Sequence, residues 1–139
     1  FLDRMSTDDF INTTKKCHIM LDPFYFGSGN TYYEAMAFGT PFITYSYNQI
    51  GSLVASGYKQ MKVENPPIAK SPEDYIDWCI KYANDRSFLE NTKNDLLKKA
   101  KEYLFNDHEI YKEYYQFFQA AVKKAREGNS LEINWKSSS

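Results

Sequence analysis

Arginine is scarce in this 139-residue chain. Only Arg4, Arg86 and Arg126 stand among 17 basic side chains, and 18 acidic ones bring the net charge to -1. That balance offers no electrostatic case for nucleic acid or an anionic membrane surface as partner. No apolar run approaches the length of a membrane span, and no signal peptide is visible. The two cysteines, Cys17 and Cys79, are too few for a disulfide framework, so a reducing, cytoplasmic setting is the simplest reading. Neither His18 nor His108 has partners at metal-ligand spacing, and no Ser-His-Asp order suggests a nucleophile, so no metal ligand and no catalytic residue is assigned. There is no internal repeat. What the chain does have is aromatic side chains, 12 Tyr and 10 Phe, and enough length for one domain with its own core.

The most informative stretch runs from Gly27 to Pro41. Ahead of it, Cys17-His-Ile-Met-Leu-Asp22 is an apolar run expected to begin a buried strand, which Asp22-Pro23 breaks. Gly27 and Gly29 permit a sharp turn with close approach of a ligand to the backbone. Asn30 and Thr31 then open a short helix whose first amides lack partners inside it and can donate to a phosphate. Glu34, three residues after Thr31, falls on the same face one turn on, where a carboxylate suits a pair of ribose hydroxyls. Gly39 supplies a left-handed residue to end the helix, and Thr40-Pro41 launches the β-rich Phe42-Ile-Thr-Tyr45. Gly27 to Asn30 is equally compatible with an ordinary βα turn, and Glu34 with an ordinary solvated helix residue.

The rest of the chain alternates in the same way. Phe1 to Met5 reads as the tail of a strand, and the chain as a piece of a longer protein cut upstream of Phe1. Ser6 caps a helix reaching about Lys16. Strand, helix, strand, turn, helix, strand is the order of a parallel sheet that binds ligands at the carboxyl ends of its strands, where Met5, Asp22 and the Gly27 to Asn30 turn would all lie. Beyond Tyr45, a short helix over residues 50–56 is expected to be capped by Asn48 and closed by Gly57. Met61-Lys-Val63 reads as a minor edge strand that Pro66-Pro67 ends. Ser71-Pro72 starts a helix to about Asn84. A second helix spans about Ser87 to Tyr103, with Leu89, Leu96, Leu97 and Ala100 on its apolar side. A third, opened by Asn106 with Glu109 as a capping box, runs to Arg126 and stops at Gly128. Its stripe of Ile110, Tyr111, Tyr114, Phe117, Phe118, Ala121, Val122 and Ala125 is expected to be core, or else a docking face. Glu132 onward reads as a frayed tail. The organisation expected is a Rossmann-like segment over 1–70, a helical segment of the same domain over 71–128, and a tail over 129–139.

At Gly27 to Pro41, and again along Ser52-Leu-Val-Ala-Ser56 and Ile68-Ala-Lys-Ser-Pro-Glu-Asp-Tyr75, the sequence resembles the C-terminal nucleotide-sugar-binding half of the O-linked N-acetylglucosamine transferase family, which includes SPINDLY-like proteins and bacterial tetratricopeptide-repeat glycosyltransferases. Glu34-Ala-Met-Ala-Phe-Gly-Thr-Pro41 also looks like a wider signature of glycosyltransferases built from two Rossmann domains. The resemblance implies an α/β fold with a partial Rossmann-like parallel sheet followed by C-terminal helices. It implies that Ser28, Gly29, Asn30 and Thr31 hold the donor diphosphate, that Glu34 meets the ribose, and that Met5 reads the base through its backbone with Phe10 packed nearby. No metal cofactor is implied, because helix-terminal amides take the charge of the leaving diphosphate. This chain departs from the family's animal members at Gly29, Asn30, Glu34, Thr7 and Leu53. A UDP-sugar as donor, a protein side chain as acceptor and an upstream domain carrying the catalytic base are the implied partners. The other readings are a non-catalytic interaction module and a transferase acting on lipid or polysaccharide, with self-association of the chain expected under any of them.

Overall fold

The computed structural model describes residues 2–45 and 52–136, in two compact units, Phe1–Phe105 and Asn106–Ser139. In the first unit, strands β1 (Met20–Leu21), β2 (Phe42–Tyr45) and β3 (Ile68–Ala69) form a three-stranded sheet in that order. Both pairings are parallel, with Met20 beside Phe42, Leu21 beside Ile43, Thr44 beside Ile68 and Tyr45 beside Ala69. Parallel neighbours need crossovers, and α2 (Asn30–Met36) and α3 (Ser52–Gln60) supply helices for them.

Alternation along β2 sends successive side chains to opposite faces. Phe42 meets Tyr32 and Met36 of α2, Val54 and Tyr58 of α3, and Leu96. Ile43 joins Ala69 and, from α4 (Pro72–Asn84), Tyr75 and Tyr82. With helices on both faces, β2 is buried from Phe42 to Thr44 and half-buried at Tyr45, and Thr44 is its one polar side chain. Beside Phe42, where β3 has not yet begun, the buried Tyr58 hydroxyl accepts from the Phe42 amide at 2.8 Å and donates to the Phe42 carbonyl at 2.9 Å.

Local chemistry sets the helix ends. Ser6 accepts from the Asp9 amide at the start of α1 (Thr7–Lys16), and Ser71 from the Asp74 amide at the start of α4, where Pro72 occupies the first turn. Asp85 caps α5 (Arg86–Lys99), which continues into a π-helical turn over Ala100–Leu104, closed by the Phe105 amide on the Ala100 carbonyl. Gly39 has φ +67, and a Cβ there would strike the Lys93 carbonyl, so the expected left-handed glycine after α2 is present.

Several expectations give way. Leu2 to Met5 form no strand, because among the described residues no segment pairs with them. Among the described residues β1 is an edge of the sheet rather than a buried strand, with Leu21 54% exposed. Met61 to Val63 turn, with Lys62 at φ 55, and the strand instead follows Pro66-Pro67, where the Pro67 carbonyl accepts from Thr44 and leads into β3. Gly57 lies inside α3 rather than closing it. Its missing Cβ makes room for the Tyr32 ring, whose Cε1 and hydroxyl would be 2.5 Å from a Cβ at that position. The Asn48 cap lies outside the described residues.

The second unit contains α6 (Glu109–Arg126), followed by Gly128 at φ +75. Asn106 does not cap it; the Asp107 carboxylate accepts from the Glu109 amide, being two residues away and closer to the first turn. None of its residues is buried, so its aromatic stripe is not core: Tyr114, Phe118 and Val122 all lie more than half exposed. The segment after Gly128 is not wholly frayed, since Trp135 packs edge-on against Phe117 at 5.6 Å. No helix among the described residues is long and apolar enough to cross a membrane.

Candidate functional site

The carboxyl rim of the sheet is organised by Asp22, the residue that follows β1. Its amide donates to the Ile43 carbonyl at 2.9 Å and so extends the pairing with β2. The side chain, on a residue 3% exposed, accepts from the Ser28 amide through Oδ1 and from the Thr44 hydroxyl through Oδ2, both at 2.7 Å. Its carbonyl accepts from the Tyr75 hydroxyl of α4 at 3.1 Å. A buried carboxylate is tolerated only when hydrogen-bonded, and this one is. Burial, with Cys79 and Asp22 nearby, pushes the Tyr75 hydroxyl up to about 12 against the bond to the Asp22 carbonyl, so it remains a donor across the neutral range.

The loop leaving Asp22 is pinned at both ends. Phe24 packs edge-on against Tyr45 at 5.4 Å and Tyr75 at 5.0 Å, and the Ser28 amide is held by Asp22. Gly27 is buried while Gly29 and Asn30 are exposed. A Cβ on Gly29 would meet nothing within 4 Å, so open space rather than tight backbone packing surrounds that position. α2 then begins with no side chain among the described residues capping it. The amides of Asn30 and Thr31 therefore have no acceptor within the helix, and the positive end of its dipole faces outward. Glu34 is half-buried one turn on, and no hydrogen bond or ion pair among the described residues engages its carboxylate. Directly behind the turn Tyr32 is fully buried, with its hydroxyl unpartnered among the described residues.

Of the residues expected in a nucleotide-sugar site, Ser28, Gly29, Asn30, Thr31 and Glu34 thus lie together, on one turn and the short helix it opens. Met5 and Phe10 are both half-buried and lie on other elements, the segment before α1 and α1 itself, and α1 packs against α2. Asp22 is the residue whose part sequence reasoning undervalued: it reads as a strand breaker at the carboxyl edge of the sheet, with no role for its side chain. Thr44, a polar side chain in an otherwise apolar strand, was the available signal that something buried required a donor. A separate cavity of about 390 Å³, lined by His18, Ile19, Tyr82, Arg86 and Glu90 among others, lies beside the residues that precede β1. No group of three or more His, Cys, Asp or Glu among the described residues is arranged to hold a metal ion.

No protein-family model and no curated protein matches the sequence. Among solved structures, the chain is similar to the K341M mutant of the O-GlcNAc transferase of Thermobaculum terrenum, with a TM-score of 0.68 and 20% identity over 76% of this chain. The present chain spans 20% of the length of that one. The likeness is one of fold. Together with the parallel sheet covered by helices on both faces, it shows a Rossmann-like fold like that of a glycosyltransferase domain.

Proposed function

We propose that this chain is the donor-binding part of a glycosyltransferase that moves a sugar from a nucleoside diphosphate, UDP-N-acetylglucosamine or a related UDP-hexose, to a protein side chain. The observation that supports this most is the start of α2 at the carboxyl rim of the parallel sheet, uncapped among the described residues, with the Glu34 carboxylate unengaged among them one turn along, in a fold similar to that of an O-GlcNAc transferase. In this reading the Gly29, Asn30 and Thr31 amides, with Ser28 beside them, take the diphosphate, and Glu34 accepts from the ribose hydroxyls. Met5 and Phe10 serve the base. As the sugar leaves, amides already fixed in direction take up the charge that grows on the diphosphate, without a metal cofactor. The acceptor site and the catalytic base belong to an upstream domain of the same protein, and the setting is the cytoplasm.

The test is a calorimetric titration of UDP into the chain, into its Glu34→Ala form, and into a Thr31→Pro form that lacks the Thr31 amide. Loss of a charge-assisted hydrogen bond predicts roughly ten- to hundredfold weaker binding, about 1.5 to 3 kcal/mol. Unchanged affinity in both variants would reject the assignment. A second reading, an interaction module, is favoured by one feature, the exposed aromatic stripe of α6. It predicts indifference to UDP and concentration-dependent self-association in light scattering, which a clean monomer at high concentration would exclude.

A further inference from the structure

The geometry points to Asp22 as the residue that positions the Ser28–Thr31 turn for an anionic ligand. The role of that turn as a diphosphate cradle rests on the donor reading above; the ordering of the turn does not. Four hydrogen bonds meet at Asp22: its amide to β2, the Thr44 hydroxyl from β2, the Tyr75 hydroxyl from α4, and the Ser28 amide from the turn. Three come from the rigid body of the fold and one reaches the loop. With its other oxygen fixed by Thr44, the carboxylate can offer Oδ1 in only one direction, and the Ser28 amide is drawn to it. With Gly29 and Asn30 exposed, this bond and the Phe24 contacts hold the loop on either side of its exposed tip.

The charge of Asp22 argues in the opposite direction. A carboxylate beneath an anion site repels the anion, so its presence there calls for a geometric reason rather than an electrostatic one. The two contributions separate by substitution. Asp22→Asn keeps a carbonyl oxygen for Ser28 and, with its amide, a donor for the Thr44 oxygen, while removing the charge. Asp22→Ala removes both acceptors.

The experiment measures backbone order parameters at Ser28 to Thr31 by ¹⁵N relaxation, together with UDP affinity, well below the melting temperature of each variant. In the parent chain the turn is expected near the rigid value of about 0.85, in Asp22→Ala below about 0.6, and in Asp22→Asn near the parent. UDP affinity is expected to fall about tenfold or more in Asp22→Ala and to stay level or rise in Asp22→Asn. A rigid turn in Asp22→Ala overturns the inference, as does an Asp22→Asn form that loses order and affinity as fully as Asp22→Ala. Should Asp22→Ala not fold, Thr44→Val releases Oδ2 alone. Partial loosening of the turn there supports the inference, and a parent-like turn overturns it. If the turn loosens as expected but the parent chain ignores UDP, the donor reading fails while Asp22 keeps its role in ordering the turn.

Discussion

Tyrosine meets two fates in this molecule. Tyr32, Tyr58, Tyr75 and Tyr82 of the first unit are at most 8% exposed, whereas Tyr111, Tyr114 and Tyr115 of α6 are between 57% and 72% exposed. Both groups lie on helices with an apolar face. The difference lies in what each face meets: the first group packs on a sheet, and the Tyr58 and Tyr75 hydroxyls find backbone atoms of β2 and Asp22. Periodicity says which side chains share a face of a helix; it does not say that anything covers that face.

Substitutions can break or sharpen this contrast. The largest effect is expected from Tyr58→Ala, which empties a core site and strips the Phe42 amide and carbonyl of their partner. A loss of about 3 to 5 kcal/mol should appear in urea denaturation. Gly57→Ala is next, at about 1 to 3 kcal/mol, because the new methyl must displace the Tyr32 ring from the centre of the core. Alkaline titration comes after. Burial lifts the Tyr75 and Tyr82 hydroxyls from 10 to about 12, so the native state holds protons that the unfolded chain releases. The stabilisation is complete below pH 10 and is lost as pH rises towards 12, and denaturation midpoints measured across that interval should fall. Tyr114→Ala on α6 should change stability by less than about 0.5 kcal/mol in the same assay. A larger loss there would show that α6 has a partner, and the contrast with the first unit would collapse.

Legibility in the sequence followed the range of the interactions. Ser6, Ser71-Pro72 and Gly39 announced helix ends correctly because a cap or a left-handed residue acts within a few positions of itself. Phe42 to Tyr45 was readable as a strand from its own apolar run. β3 escaped notice because two residues behind Pro66-Pro67 carry no pattern, and only pairing with Thr44 and Tyr45 makes Ile68-Ala69 a strand. Gly57 was misread because its partner, Tyr32, is distant in sequence. Around the candidate site, the turn and the helix that carries Glu34 were legible as local structure, being contiguous. The clamp beneath them was not, because Asp22 finds Thr44 and Tyr75 only once the chain has folded.

The double hydrogen bond from Tyr58 to Phe42 has one more consequence. A sheet margin with a bare amide and carbonyl side by side invites a stray strand from another molecule to zip on. Here a single phenol occupies both groups at the level where β3 falls short, so a third strand of only two residues leaves no vacancy for a stranger at that point.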